Sequence, residues 1–272
     1  MPDISELMVM LAFLLVIGAF AGVIAGLLGV GGGIILVPAF YYAFVGLGYE
    51  SPGLMQVCLA TSLATITVTS LRSVIAHNRK GAVDWDVLRG WAPGIAIGAA
   101  AGVVAVAHLR TPALQAIFGT LALIVAFYLG FGRKEWRLGT AMPKGVSRAA
   151  MSPLVGFLSV LMGIGGGSFG VPLMSLHGVA IHRAVATAAG FGVVIAVPSV
   201  AGFLLSDIAM APPYTIGAVN LPAFVVIIAM TMITAPWGVK LSHAMDPTLL
   251  KRLFAVFLTL VALNMLRKAI GW

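Results

Sequence analysis

The chain lacks most of what a water-facing surface requires. Only 9% of its 272 residues are charged, 16 basic and eight acidic, while 61% are apolar and the mean hydropathy is +1.09. Soluble domains carry about 25% charged residues. That scarcity excludes an ordinary soluble enzyme, a disordered chain and a nucleic-acid binder. The net charge of +8 sits in short clusters between apolar runs, the pattern of loops in membrane proteins. One cysteine, Cys58, permits no internal disulfide and no cysteine-based metal site. There is no Walker-type Gly-Lys-Ser/Thr, no Gly-x-Ser-x-Gly elbow and no acid–histidine cluster, so neither an enzyme, nor a metal, nor another cofactor is expected. Gly165-Gly-Gly-Ser-Phe-Gly170 formally fits G-x-G-x-x-G. No strand precedes it and no acid follows at about 20 residues, which argues against a dinucleotide.

What is present is a series of long uncharged runs. They lie at 7–49, 51–71, 90–107, 111–132, 149–176, 184–206, 208–239 and 253–266. A bilayer-spanning helix needs about 20 apolar residues, so the expectation is an all-α polytopic membrane protein with the lipid bilayer as its solvent. The eight acids (Asp3, Glu6, Glu50, Asp84, Asp86, Glu135, Asp207 and Asp246) all flank these runs or fall in loops. Basic clusters at Arg72, Arg79 and Lys80, across the central segment 133–148, and at Lys240, Lys251 and Arg252 are placed inside. The N-terminus and the loops 46–54 and 206–216 are placed outside. Arg267 and Lys268 then also fall outside, against the rule.

The sequence reads itself twice. Gly29-Val-Gly-Gly-Gly-Ile-Ile-Leu-Val-Pro38 recurs as Gly163-Ile-Gly-Gly-Gly-Ser-Phe-Gly-Val-Pro172, and Leu59-Ala-Thr61-Ser62 as Val185-Ala-Thr187-Ala188. Two halves follow, 1–132 and 148–272, joined by a basic linker at 133–147. With the loops placed as above, each half is a helical hairpin broken at its glycines, followed by three transmembrane helices. An odd number of full spans inverts the second half relative to the first.

Three consecutive glycines cost about 1 kcal/mol each in a helix. In hydrocarbon such a break survives only where protein or a water-filled cavity surrounds it. A short helix is expected to begin near Ile34 and near Ser168, with Pro38 and Pro172 fixing its first turns. The first amides of a helix have no intrahelical acceptor and carry the positive end of the dipole, which makes an anion site without a formal charge. Two such starts would face each other near mid-membrane. The residues expected to line the anion are Gly31, Gly32, Gly33 and Ile34, with Thr61 and Ser62, then Gly165, Gly166, Gly167 and Ser168, with Thr187. Thr65 and Thr69 are read instead as hydroxyls bonded to their own helix. The ladders Gly18/Gly22/Gly26 and Gly94/Gly98/Gly102 are read as helix-packing seams. Arg72, His182 and Arg183 are candidates for a gate or an inner mouth. The five histidines fall near span ends, and Cys58 is read as a small packing residue.

These motifs resemble the TauE/SafE family of sulfite and organosulfur-anion exporters. The likeness rests on the two Gly-x-Gly-Gly-Gly-x-x-x-Val-Pro segments, on Ala60-Thr61-Ser62-Leu63, on Gly81-Ala-Val-Asp84-Trp85 and on His182-Arg-Ala-Val-Ala-Thr187. It implies a secondary transporter of a small sulfur-containing anion in a bacterial inner membrane. The expected mechanism is alternating access, driven by membrane potential or protons, with a homodimer as a candidate assembly. An anion-selective channel, or an uptake carrier for thiosulfate or sulfate, is the alternative. Ala188 stands where the first half has Ser62, so the halves of the site are expected to differ chemically.

Overall fold

A computed structural model describes residues 4–28, 33–132, 136–244 and 247–271. The protein is an all-α polytopic membrane protein. Its helices are α1 (Ile4–Leu28), α2 (Gly33–Gly46), α3 (Leu54–Arg79), α4 (Trp85–Ala107), α5 (Thr111–Phe131), α6 (Gly145–Leu161), α7 (Gly167–Leu176), α8 (Ile181–Leu204), α9 (Leu221–Ala244) and α10 (Pro247–Ala269). Among the described residues, α3, α4, α5, α8 and the Leu221–Gly238 part of α9 are long and apolar enough to cross a bilayer. The uncharged run 208–239 is not one span. Its first part turns through Pro212-Pro213, with Met210 and Tyr214 at positive φ, into a two-stranded hairpin of β1 (Thr215–Ile216) and β2 (Val219–Asn220). Paired prolines cannot donate backbone hydrogen bonds, so apolarity alone does not extend the helix there.

The helices pack in exchanged pairs. α1 lies on α9 and α6 lies on α4, while α3 crosses α8 and α5 lies on α10. Renaming α1–α5 as α6–α10 maps each of these pairs onto another or onto itself. The seams are the glycine ladders. A Cβ on Gly18 would meet Met230 at 2.9 Å, and one on Gly22 would stand 2.8 Å from Thr231 Cα. On α4, a Cβ on Gly94 would collide with Ser152, one on Gly98 with the Pro153 carbonyl, and one on Gly102 would lie 2.8 Å from Val160 Cβ. Without an aqueous phase to drive helices together, such close backbone approach is what holds them. The packing role read for Gly18, Gly22, Gly94, Gly98 and Gly102 is the role they have. Around the outside, Phe20, Ile124, Phe127, Val225, Trp237 and Leu260 are exposed. In water they would be a defect; in lipid they form the contact surface.

Loop contacts sort the chain into two ends. At the first end, Thr111 N donates to Pro52 O (2.8 Å), Gly53 lies against Ile208, and Ala218 N donates to Phe203 O (2.9 Å). At the second end, Asp84 pairs with Arg183 (3.2 Å), Leu138 N donates to Leu176 O (2.8 Å), and Gly90 lies against Arg148. The unit α6–break–α7 therefore starts and finishes at the second end. The ladder contacts show that α1 runs parallel to α9, which leaves from the first end, where α2 also finishes. α1 and α6, the helices that precede the two glycine segments, therefore start from opposite ends.

Candidate functional site

The second glycine break is built asymmetrically. α6 ends at Leu161 with Met162 as its C-cap, and Gly163 follows at φ +60°, Gly163 N donating to Val160 O (2.9 Å) and Ile164 N to Ser159 O (2.9 Å). This is the left-handed helix ending that glycine alone adopts cheaply, and it satisfies the trailing carbonyls of α6. The amide side of the break has no such arrangement. α7 begins at Gly167, its N-cap Gly166 has no side chain to offer, and its first helical bond is Gly170 N to Gly166 O (2.7 Å). The amides of Gly167, Ser168 and Phe169 precede that bond and have no intrahelical acceptor. Pro172 lies five residues beyond the helix start, as Pro38 lies five beyond Gly33. α7 begins one residue earlier than Ser168, and the described part of α2 opens at Gly33.

The breaks converge. A Cβ on Gly33 would stand 3.0 Å from Ile164 Cα and 3.1 Å from the Gly163 carbonyl oxygen. Ile66 of α3 faces both: it would lie 2.6 Å from a Cβ on Gly33 and 3.1 Å from one on Gly165. Gly166 is pressed onto α8, where a Cβ would overlap Phe191 and the Ala188 carbonyl. Ser70 of α3 reaches the same region, against Gly192 and 3.8 Å from the Gly165 position. Gly33, Ile34, Gly165, Gly166 and Ser168 are all buried, and Gly167 is half-buried. Gly31 and Gly32 lie outside the described residues.

The hydroxyls predicted from sequence divide into three roles. Ser62 Oγ donates to Gly163 O (2.7 Å), tying α3 to the end of α6 across the break. Thr65 and Thr69 bond back to Thr61 O (3.0 Å) and Thr65 O (3.1 Å), the local pattern expected for them. Thr61 and Thr187 instead accept backbone amides from the opposite half. Thr61 Oγ1 receives Asn220 N at 3.0 Å, and Thr187 Oγ1 receives Asp84 N at 2.9 Å. Asn220 and Asp84 each lead into the fourth helix of their half, their side chains accepting from Ala223 N (3.1 Å) and Val87 N (3.1 Å). Thr61 is about 10 Å along α3 from the first end, and Thr187 about 9 Å along α8 from the second. They sit at opposite rims of the central region rather than side by side.

The remaining candidates lie at the second end. Arg183 is engaged by Asp84 at 3.2 Å, its own side chain 55% exposed, so it is anchored yet within reach of solutes. His182 and Arg72 are exposed on the same side. Cys58 is fully buried in the core, as a packing residue would be. Sequence reasoning did not find Ile66, met Asp84 only within the Gly81-Ala-Val-Asp84-Trp85 motif, and did not find Asn220. A signal for the last two was available: Asp84 and Asn220 stand 136 residues apart, close to the repeat offset, and both are favoured helix N-caps.

A family profile described as sulfite exporter TauE/SafE matches residues 14–265. The chain is 31% identical over 256 residues to a probable membrane transporter protein of Haemophilus influenzae, covering 93% of this chain and 97% of that protein. It is 24% identical over 270 residues to a probable membrane transporter protein of Methanocaldococcus jannaschii, covering 96% and 97% of the two chains. A third such protein, from Bacillus subtilis, is 30% identical over 186 residues, 60% of this chain and 66% of its own. No solved structure matches the chain.

Proposed function

The chain belongs to the sulfite exporter TauE/SafE family of membrane transporters, and on that premise we propose that it is a secondary transporter exporting a small sulfur-containing anion, such as sulfite or a related organosulfonate, by alternating access. The observation that carries this reading is the convergence of the two glycine breaks, Gly33 against Ile164, with the amide end of α7 left without a side-chain cap. A helix start presents the equivalent of about half a positive charge. In a low-dielectric surround that is enough to attract an oxyanion, and it holds the ion less tightly than a lysine or arginine would. Release is as necessary to a transporter as binding. Ser70 and Ser168 supply hydroxyl groups within the same region, while Ser62 commits its own hydrogen to Gly163 O.

Energetics favour an outward direction. An anion leaving a negative-inside cell gains about 2.3 kcal/mol per charge per 100 mV. The acids of the chain all flank its apolar runs, so coupling through a buried carboxylate has no residue to use. We place the protein in a bacterial inner membrane, with the first end, carrying residues 46–53 and the β1–β2 hairpin, outside. The basic second end then faces inward. The pseudo-twofold axis relating the halves would lie in the membrane plane, and one half would rock against the other about the fixed site.

The test is flux from proteoliposomes containing the purified protein, loaded with radiolabelled sulfite. Efflux that rises with an inside-negative potential and saturates with sulfite supports the reading. Flux at channel rates without saturation would favour a pore, and no flux of sulfite or of the organosulfonates sulfoacetate and taurine would defeat the reading.

A further inference from the structure

The two threonine–amide bonds are repeat mates. Thr187 of α8 receives the amide that opens α4, and Thr61 of α3 receives the amide that opens α9. Each bond crosses from one half to the other, each is short, and they lie at opposite ends of the central region. Both are made at once in this structure. We propose that Thr187–Asp84 and Thr61–Asn220 are the inner and outer latches of the transport cycle, with Asp84 and Asn220 as positioning residues. Substrate exchange on either side requires the latch on that side to part while the other stays closed. This rests on the alternating-access reading above.

Three features separate these bonds from ordinary packing contacts. Each acceptor is a side-chain hydroxyl and each donor a first-turn amide, so parting breaks one hydrogen bond and leaves an amide that can be solvated or can meet an anion. Each donor residue is held by its own side-chain cap, which lets α4 or α9 move as a rigid helix without unravelling. The latches also differ in charge. Asp84 is additionally held by Arg183 at 3.2 Å. Asn220 is neutral and wholly buried, its amide group donating to Pro213 O (2.9 Å) and Thr215 Oγ1 (3.1 Å). An anion arriving at the second end competes with Asp84 for Arg183 and so loosens the inner latch. The outer latch has no such competitor. That asymmetry suits loading from the inside.

The experiment uses the full-length chain in proteoliposomes, in a Cys58→Ala background. Paired cysteines at Thr61/Asn220 and, separately, at Thr187/Asp84 are oxidised and then reduced. The flux probe is sulfoacetate, because sulfite itself cleaves disulfides; its flux should stop on oxidation and return on reduction, because a locked latch blocks the cycle. Oxidised protein that moves sulfoacetate as fast as the reduced form would show the contact to be static and overturn the proposal. A second arm serves if the reduced pairs do not transport. Ser62→Cys is labelled with a membrane-impermeant maleimide from either face. Thr61→Val should raise labelling from the outer face, and Thr187→Val from the inner face, by about three- to tenfold, as loss of one hydrogen bond predicts. Thr61→Ser and Thr187→Ser should label like the parent. Labelling that ignores which latch is cut would overturn the latches while leaving transport standing. Parent protein that moves no anion would defeat the functional reading instead.

Discussion

Gly33 meets Ile164 across the centre of the molecule: a Cβ on the glycine would stand 3.0 Å from the isoleucine Cα. These residues lie 131 positions apart, in the two copies of one sequence motif. The contact brings the breaks together, and it sets how much side chain the region tolerates.

Gly33→Ala is therefore expected to reduce transport at least tenfold while the protein still inserts. Ile66 can swing away from the new methyl, but the Ile164 backbone cannot, and overpacking of this kind costs about 1–3 kcal/mol. Gly166→Leu should be more severe, since its side chain would press on Phe191 and the Ala188 carbonyl. Flux per purified molecule, beside the elution profile in detergent, checks both. Normal flux in Gly166→Leu would show that the break is packing alone.

Gly98→Val should behave differently. Its Cβ would fall on the Pro153 carbonyl in the α4–α6 seam, far from any hydroxyl of the site. The expected outcome is loss of folded protein from the membrane fraction, measured as yield of monodisperse material. Full yield with lost transport would move the seam into the site.

Ser62→Ala removes the bond to Gly163 O and leaves that buried carbonyl without its side-chain donor. A net hydrogen bond is worth about 0.5–1.5 kcal/mol, and an orphaned partner somewhat more. The thermal midpoint should fall by several degrees, and the protection given by bound sulfite should shrink with it. A midpoint unchanged within error would mean that the bond contributes nothing.

Arg183→Gln frees Asp84 without touching the Asp84 amide or its cap. The ion pair is half exposed, so stability should change by no more than about 1 kcal/mol. Transport from the inner face should show a raised KM with little change in the maximal rate. Because surface charge is screened within about 8 Å at physiological salt, the difference from the parent should narrow as salt increases. An equal fall in the maximal rate at every salt concentration would place Arg183 in the transport step itself.

The membrane-spanning helical character and the packing glycines were legible because each is a local pattern: a run of apolar residues, and a spacing of four between glycines. A helix start near Ser168 followed from the same logic, since a triple glycine is a costly run to keep helical; α7 begins at Gly167, within the triplet. The hairpin at 215–220 was not legible, because a run of uncharged residues does not reveal that Pro212-Pro213 ends the helical register. The roles of the hydroxyls were not legible either. Thr61, Ser62, Thr65 and Thr69 share one helix and similar chemistry, yet one accepts an amide from the far half, one donates to a broken helix end and two bond to their own backbone. A hydroxyl's partner depends on which donor or acceptor the fold brings within 3 Å, and those partners lie up to 159 residues away. Sequence determined which residues could serve, through apolarity and backbone freedom. Only the tertiary structure decided which of them face each other, because that choice is made by packing between segments no local pattern connects.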